Sequence, residues 1–173
     1  PYMGIQAVWD LAQDLSDEAC APITVMAPTP AATQLANNKV FFTEFIQRNF
    51  HSNWVAPSKT GYNAEEMALA LFDLAQNHAR VALKMPECAS ATGIQVLDSD
   101  IVLSLSPTRL VDLVRAFLTD KQWNQIEPVQ VVAWLDATHS PSTQVWIPAN
   151  EDDAPIVEGV YEQLFTGTDK GFL

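Results

Sequence analysis

The apolar run VALKM, residues 81–85, carries a lysine, Lys84, near its end. The connection PECASATG, residues 86–93, is built almost wholly of small or polar residues, and a second apolar run, IQVL, begins at Ile94. An ammonium group at a strand end is a compact point charge. A connection of small residues lets backbone N–H groups approach an anion closely. Together the two features read as a phosphate site. The same residues also suit a surface hairpin whose lysine reaches out to water along its aliphatic stem.

The elements that must position Lys84 follow from periodicity and punctuation. Ile5, Val8, Trp9, Ala12 and Leu15 recur at helical spacing over residues 4–19. The β-branched ITVM, closed by Pro28 and Pro30, reads as a strand entering a loop. A helix is expected over 36–49, capped by Asn37 or Asn38, with Val40, Phe41, Phe45 and Phe42 packing inward. HSNWVAPS then runs extended to Pro57. Asn63 and Glu66 have capping-box spacing before Met67, Ala70, Leu71, Leu74 and His78. Residues 80–85 and 94–98 form a hairpin. Ser106 and Pro107 open a helix whose buried stripe is Leu110, Val111, Val114 and Phe117. After Glu127–Pro128 the pattern turns to strands, at 129–136, 143–148 and 156–165.

A chain of 173 residues can bury one sizeable core or two small lobes. A formal net charge of −12 argues against a nucleic-acid surface, which needs clustered cations. The lysines are Lys39, Lys59, Lys84, Lys121 and Lys170, so one in an apolar setting stands out. No apolar run nears the roughly 20 residues of a membrane span, so no membrane is expected as a partner. The opening PYMGIQAVWD does not read as a secretory leader. Cys20 and Cys88 have no CxxC partner and fit a reducing compartment, so the cytoplasm is the expected location. His51, His78 and His139 show no metal-ligand spacing. The ends of the sequence read as those of a piece of a longer protein.

Order along the chain adds a further signal. NNKVFFTEFIQRNFHSNWVAPS, then a capped helix, then RVALKMPECASATGIQVLDS, resembles the ATP-grasp enzymes. Members commonly show Asn-Lys or Asp-Lys at a helix start, a stretch ending in Pro, a helix, a strand ending in Lys, a Gly/Ser-rich loop and a second strand. Lys39 and Lys84 match the two family lysines that contact nucleotide phosphates. Ser90 and Gly93 fall in register with the family loop, although Gly93 is its one glycine here. EPVQVVAWLDATHSPSTQVWIP is similar to the family hinge strand and the strand after it. Val132, Ala133, Trp134 and Leu135 fall where the hinge backbone holds the adenine edge, with Val132 in place of the usual acid. IVEGVYEQLF looks like the next family strand. The resemblance spans about residues 28–173.

It implies an α+β fold: a small ATP-grasp-like lobe of helices on a short antiparallel sheet with a phosphate-loop hairpin, then the first strands of a second antiparallel sheet. Residues 1–30 would end a preceding α/β domain or form a linker. Residues 31–127 would be the small lobe, and 128–173 the start of the large-lobe sheet. The implied ligands are ATP and Mg²⁺, with a carboxylate and an amine as substrates of the full protein. The Mg²⁺ ligands are expected beyond Leu173, and no catalytic residue is expected within this chain. The alternative is a non-catalytic nucleotide-binding or protein-interaction module that keeps the lobe.

Overall fold

The computed structural model of the chain describes residues 4–88, 92–137, 139–148, 150 and 152–163, and the backbone of two short strands at 165–166 and 171–172. The chain divides into two compact units, Pro1–Trp134 and Leu135–Leu173. The fold is α+β, as expected: helices on a small antiparallel sheet in the first unit and separate antiparallel pairing in the second.

Helix α1, Gln6–Ala19, ends on Cys20 in the left-handed conformation, with φ 49°. It has no fully buried residue. Its apolar stripe instead lines a shallow groove with Ile23, Thr24, Val25 and Met26. The ITVM segment, expected as a strand, pairs with no strand among the described residues. A strand needs a partner for its backbone groups, and composition alone does not supply one.

The helix expected over 36–49 is two helices, α2 at Pro30–Asn37 and α3 at Lys39–Asn49. Asn38 separates them because its side chain accepts from the N–H groups of Val40 and Phe41, which starts a new helix there. Of the apolar residues expected inside α3, Val40 alone is buried. Phe41, Phe42 and Phe45 are 40%, 51% and 44% exposed, which corrects the expected stripe. Phe41 stacks on Phe45, Phe45 meets Phe50 edge-on, and Phe50 stacks on Trp54 of the 3₁₀ turn Ser52–Trp54. The rings cover one another rather than entering the core.

The sheet contains β1 (Ser58–Gly61), β2 (Arg80–Lys84), β3 (Ile94–Asp98) and β4 (Val129–Ala133), in the spatial order β1-β4-β2-β3, antiparallel throughout. The composition change at Glu127–Pro128 therefore marks entry into the first unit's sheet. Strand β4 lies between β1 and β2, and all five of its residues are buried. Its period-2 alternation splits Val129 and Val131 from Gln130 and Val132. Val129, Val131, Val81 and Leu83 join one core with α4 (Ala64–Ala75) and α6 (Pro107–Asp120). Between β3 and α6 lies the short helix α5, Ser99–Ser104. The opposite sheet face carries Ala82, Lys84, Gln130 and Val132, which are partners in the β2–β4 register.

In the second unit β5 (Pro141–Trp146) pairs with β6 (Ile156–Glu162), with a register shift between Gln144 and Val145. Two-residue strands β7 (Phe165–Thr166) and β8 (Gly171–Phe172) pair with each other. Among the described residues no helix is long and apolar enough to cross a membrane.

The cap at α4 forms on the residues its spacing marks, with Glu66 reaching the N–H of Tyr62 in place of that of Asn63. Asn63 Oδ1 accepts from Glu66 N–H at 2.8 Å, and Glu66 Oε2 accepts from Tyr62 N–H at 2.8 Å. Helix α4 contributes Met67 and Leu71 to the core centre, both 0% exposed. Asn63→Ala removes a cap that this core depends on. It is expected to destabilise the chain by about 1 kcal/mol, read as a lower midpoint in urea unfolding. An unchanged midpoint would show that packing alone fixes the start of α4.

Candidate functional site

Lys84 closes β2, on the sheet face opposite the main core, beside Gln130. Its ammonium lies 5.3 Å from the ring centroid of Trp134, the residue after β4, in cation–π range. Trp134 is held there because its N–H donates to Arg80 O at 2.9 Å, continuing the β2–β4 ladder past the strand end. Lys39 reaches the same region from the first turn of α3. Its backbone N–H donates to Pro86 O at 3.0 Å. Its Nζ donates to Cys88 O at 2.6 Å and to Pro86 O at 3.4 Å. An ammonium has three donors, so one stays uncommitted among the described residues.

The electrostatics separate these two lysines from the others described. Lys59 pairs with Asp73 at 2.6 Å and Lys121 with Asp120 at 2.7 Å. Neither Lys39 nor Lys84 has a carboxylate within ion-pair distance among the described residues. Burial pushes the Lys84 ammonium below its usual range, and the Lys39 charge lowers it further. Lys39 is also lowered, by burial first, with Cys88 and the Glu87 carboxylate partly offsetting the shift. The charge of one half-buried cation thus disfavours the other. Such a site gains most from a ligand of multiple negative charge.

Gly93 is buried where the hairpin closes, and its carbonyl accepts from Met85 N–H at 2.8 Å. A Cβ at Gly93 would lie 2.3 Å from Cys88 Cβ, so the glycine is needed for the close crossing of the hairpin base. Ser90 lies outside the described residues. Val132 and Ala133 are inside β4, at 4% and 2% exposure. The N–H of Ala133 donates to Pro57 O at 2.8 Å, so this donor and that of Trp134 are engaged within the sheet unit. Leu135 is the first residue of the second unit and is 58% exposed. The residues brought together are thus Lys39, Lys84 and Trp134, with Gly93 packed against Cys88. Gln130 and Thr43, which bond at 2.7 Å beside Lys84, were missed from sequence. The signal was available: Gln130 is a lone amide in the apolar strand VQVVA.

No protein-family model and no curated protein sequence matches the chain. Among solved structures, the crystal structure of D-alanyl-alanine synthetase A from Vibrio cholerae is similar, with a TM-score of 0.59 at 9% identity. The likeness covers 91% of this chain and 41% of that one, so the chain spans about two fifths of that protein's length. At this identity the likeness concerns the fold alone.

Removing Lys39 takes away the second cause of the Lys84 shift and leaves the first. In Lys39→Ala, Lys84 is expected to titrate higher than in the parent but still below 10.5, followed by NMR of the labelled side chain. Between the lowered value and 10.5 the unfolded chain binds more protons than the folded one, so stability rises with pH through that window. Lys84→Met should flatten that rise. An unmoved Lys84 titration in Lys39→Ala would show that the two ammonium groups do not interact.

Proposed function

We propose that this chain is the nucleotide-binding portion of an ATP-grasp ligase. The observation that carries the reading is that Lys84 ends β2 and Lys39 bonds the carbonyls of Pro86 and Cys88 just after it, with no carboxylate paired to either lysine among the described residues. It joins two lysines that the ATP-grasp order of motifs had singled out separately. The fold likeness to a D-alanyl-alanine synthetase supports the same reading.

The residues fit a triphosphate. Lys84 and the uncommitted donor of Lys39 supply charge-assisted hydrogen bonds to phosphate oxygens, in a half-buried setting where water screens them less than at an open surface. Ser90 would add a phosphate contact, as the resemblance to the family loop implies. The chain around Val132–Leu135 would meet the adenine. Since the Ala133 and Trp134 N–H groups are already engaged, any base contact through these two residues falls to other atoms. The whole enzyme would transfer the terminal phosphoryl group of ATP to a carboxylate oxygen, releasing ADP. An amine would then attack the acyl carbon and expel phosphate. The cytoplasm, where ATP is plentiful, is the proposed location.

Mg²⁺ belongs to that chemistry by neutralising the phosphate oxygens. Among the described residues no group of three or more His, Cys, Asp or Glu side chains is placed to hold a metal ion. The roles assigned to this chain are binding and charge stabilisation of the nucleotide.

Calorimetric titration with a non-hydrolysable ATP analogue tests the reading. Lys84→Ala and Lys39→Ala should each weaken binding by about 1.5–3 kcal/mol. Lys121→Ala should leave it unchanged, since that ammonium is already paired with Asp120. Equal losses in all three variants, or no binding by the parent chain, would overturn the reading.

A further inference from the structure

Lys84 and Trp134 stand four positions apart along the β2–β4 ladder: Lys84 is opposite Gln130, and the Trp134 N–H reaches the Arg80 carbonyl. Strands rise about 3.3 Å per residue, so about 13 Å of sheet separates the two levels. Between them on this face lie Ala82 and Val132, 0% and 4% exposed. The Lys84 ammonium is nonetheless 5.3 Å from the Trp134 ring centroid. The lysine stem and the indole must therefore lean toward each other over Ala82 and Val132, with the stem lying along the sheet.

A lysine does not hold such a pose by itself. Its four-carbon stem has many rotamers, and ordering them is unfavourable. Among the described residues the ammonium has no hydrogen-bond acceptor and no carboxylate partner. Its register neighbour Gln130 commits its Nε2 to Thr43 Oγ1. What holds the ammonium is the face of the indole, which attracts a cation through the ring quadrupole. The backbone that carries the ring is fixed on both sides, by Trp134 N–H on Arg80 O at 2.9 Å and Ala133 N–H on Pro57 O at 2.8 Å. The tryptophan is thus the anchored partner and the lysine the movable one.

We propose that Trp134 is a positioning residue for Lys84: its ring seats the ammonium over the sheet, so that Lys84 meets an anion already ordered. A ring face occupies one side of an ammonium and leaves N–H donors free on the other. Holding a side chain in its binding pose before the ligand arrives strengthens binding by lowering the ordering cost. The effect on ligand binding rests on the polyanion reading above, whereas the order of the Lys84 side chain in the free chain does not. Trp134 therefore acts at the phosphate end of the ligand, whereas the family resemblance puts it at the adenine edge.

Trp134→Leu removes the ring and keeps an apolar side chain, and Trp134→Phe keeps a smaller ring that attracts cations less strongly. The first readout is NMR relaxation of the Lys84 ε-methylene in the ligand-free chain. Lys84 should be most ordered in the parent, least in Trp134→Leu and intermediate in Trp134→Phe. The second is affinity for inorganic tripolyphosphate and for a non-hydrolysable ATP analogue. Trp134→Leu should weaken both alike, by about three- to tenfold, and Trp134→Phe should recover part of the loss. In a Lys84→Met background the further change Trp134→Leu should have no effect, since a residue that acts through another adds nothing once that other is gone. Trp134→Phe decides the matter if Trp134→Leu does not fold. A Lys84 side chain equally mobile in the parent and the folded Trp134 variants would overturn the proposal. So would an undiminished loss in the Lys84→Met background, or weaker binding of the analogue with that of tripolyphosphate unchanged. If the parent binds neither ligand while the ring still orders Lys84, the positioning role stands and the nucleotide reading falls.

Discussion

Two half-buried ammonium groups near one hairpin base, Lys84 at the end of β2 and Lys39 on the Pro86 and Cys88 carbonyls, with no carboxylate paired to either among the described residues, impose the constraint around which the first unit is arranged. Each pair of like charges is unfavourable in proportion to the local dielectric screening, and burial weakens that screening. Burial also withdraws each ion from water. The downward shift of Lys84 registers both effects, and that of Lys39 registers burial. An ordinary surface lysine avoids the cost by turning to solvent or to an acid, as Lys59 and Lys121 do. The cost must be met by stability elsewhere, and that comes from the other face of the sheet. There Met67, Leu71, Val81, Leu83, Val114, Val129 and Val131 form one apolar core, and each of them is fully buried.

Strand order explains how the charges are brought together. Because β4 enters between β1 and β2, the second strand of the hairpin, β3, becomes an edge and β2 an interior strand. Lys84 at the end of β2 is thus flanked by Gln130 on one side and Ile94 on the other. Past the end of β4, Trp134 offers a ring face to the ammonium. That stabilises the charge in part without neutralising it. At the turn, Gly93 packs closely against Cys88, and the Pro86 and Cys88 carbonyls bind Lys39. The packing glycine and the α3 lysine therefore stabilise the same hairpin base.

Local signals in the sequence were the most legible. Asn63 with Glu66, and Ser106 with Pro107, marked helix starts that form as their spacing requires. The β2–β3 hairpin followed from two apolar runs around a small-residue connection. What failed depended on partners distant along the chain. ITVM has the composition of a strand but pairs with none among the described residues. Phe41, Phe42 and Phe45 have the composition of a core, yet they lie on a helix whose buried contact is made by Val40. Strand β1, SKTG, is too polar to announce itself and exists because β4 supplies its ladder. At the site, Lys39 was reached through the resemblance and Lys84 through its apolar setting. The amide–hydroxyl bond from Gln130 to Thr43 spans 87 residues and has no local signature at its Thr43 end.

The central claim is that Lys39 and Lys84 together form the polyanion site. The direct measurement is NMR of a chain carrying isotope-labelled lysines, titrated with inorganic tripolyphosphate. Assignment comes from single Lys→Arg variants. Of the five lysines in the sequence, Lys39 and Lys84 should shift in parallel with one saturating curve, while Lys59 and Lys121 stay in place. Parallel shifts of all lysines, or a response confined to Lys59, Lys121 or Lys170, would contradict it.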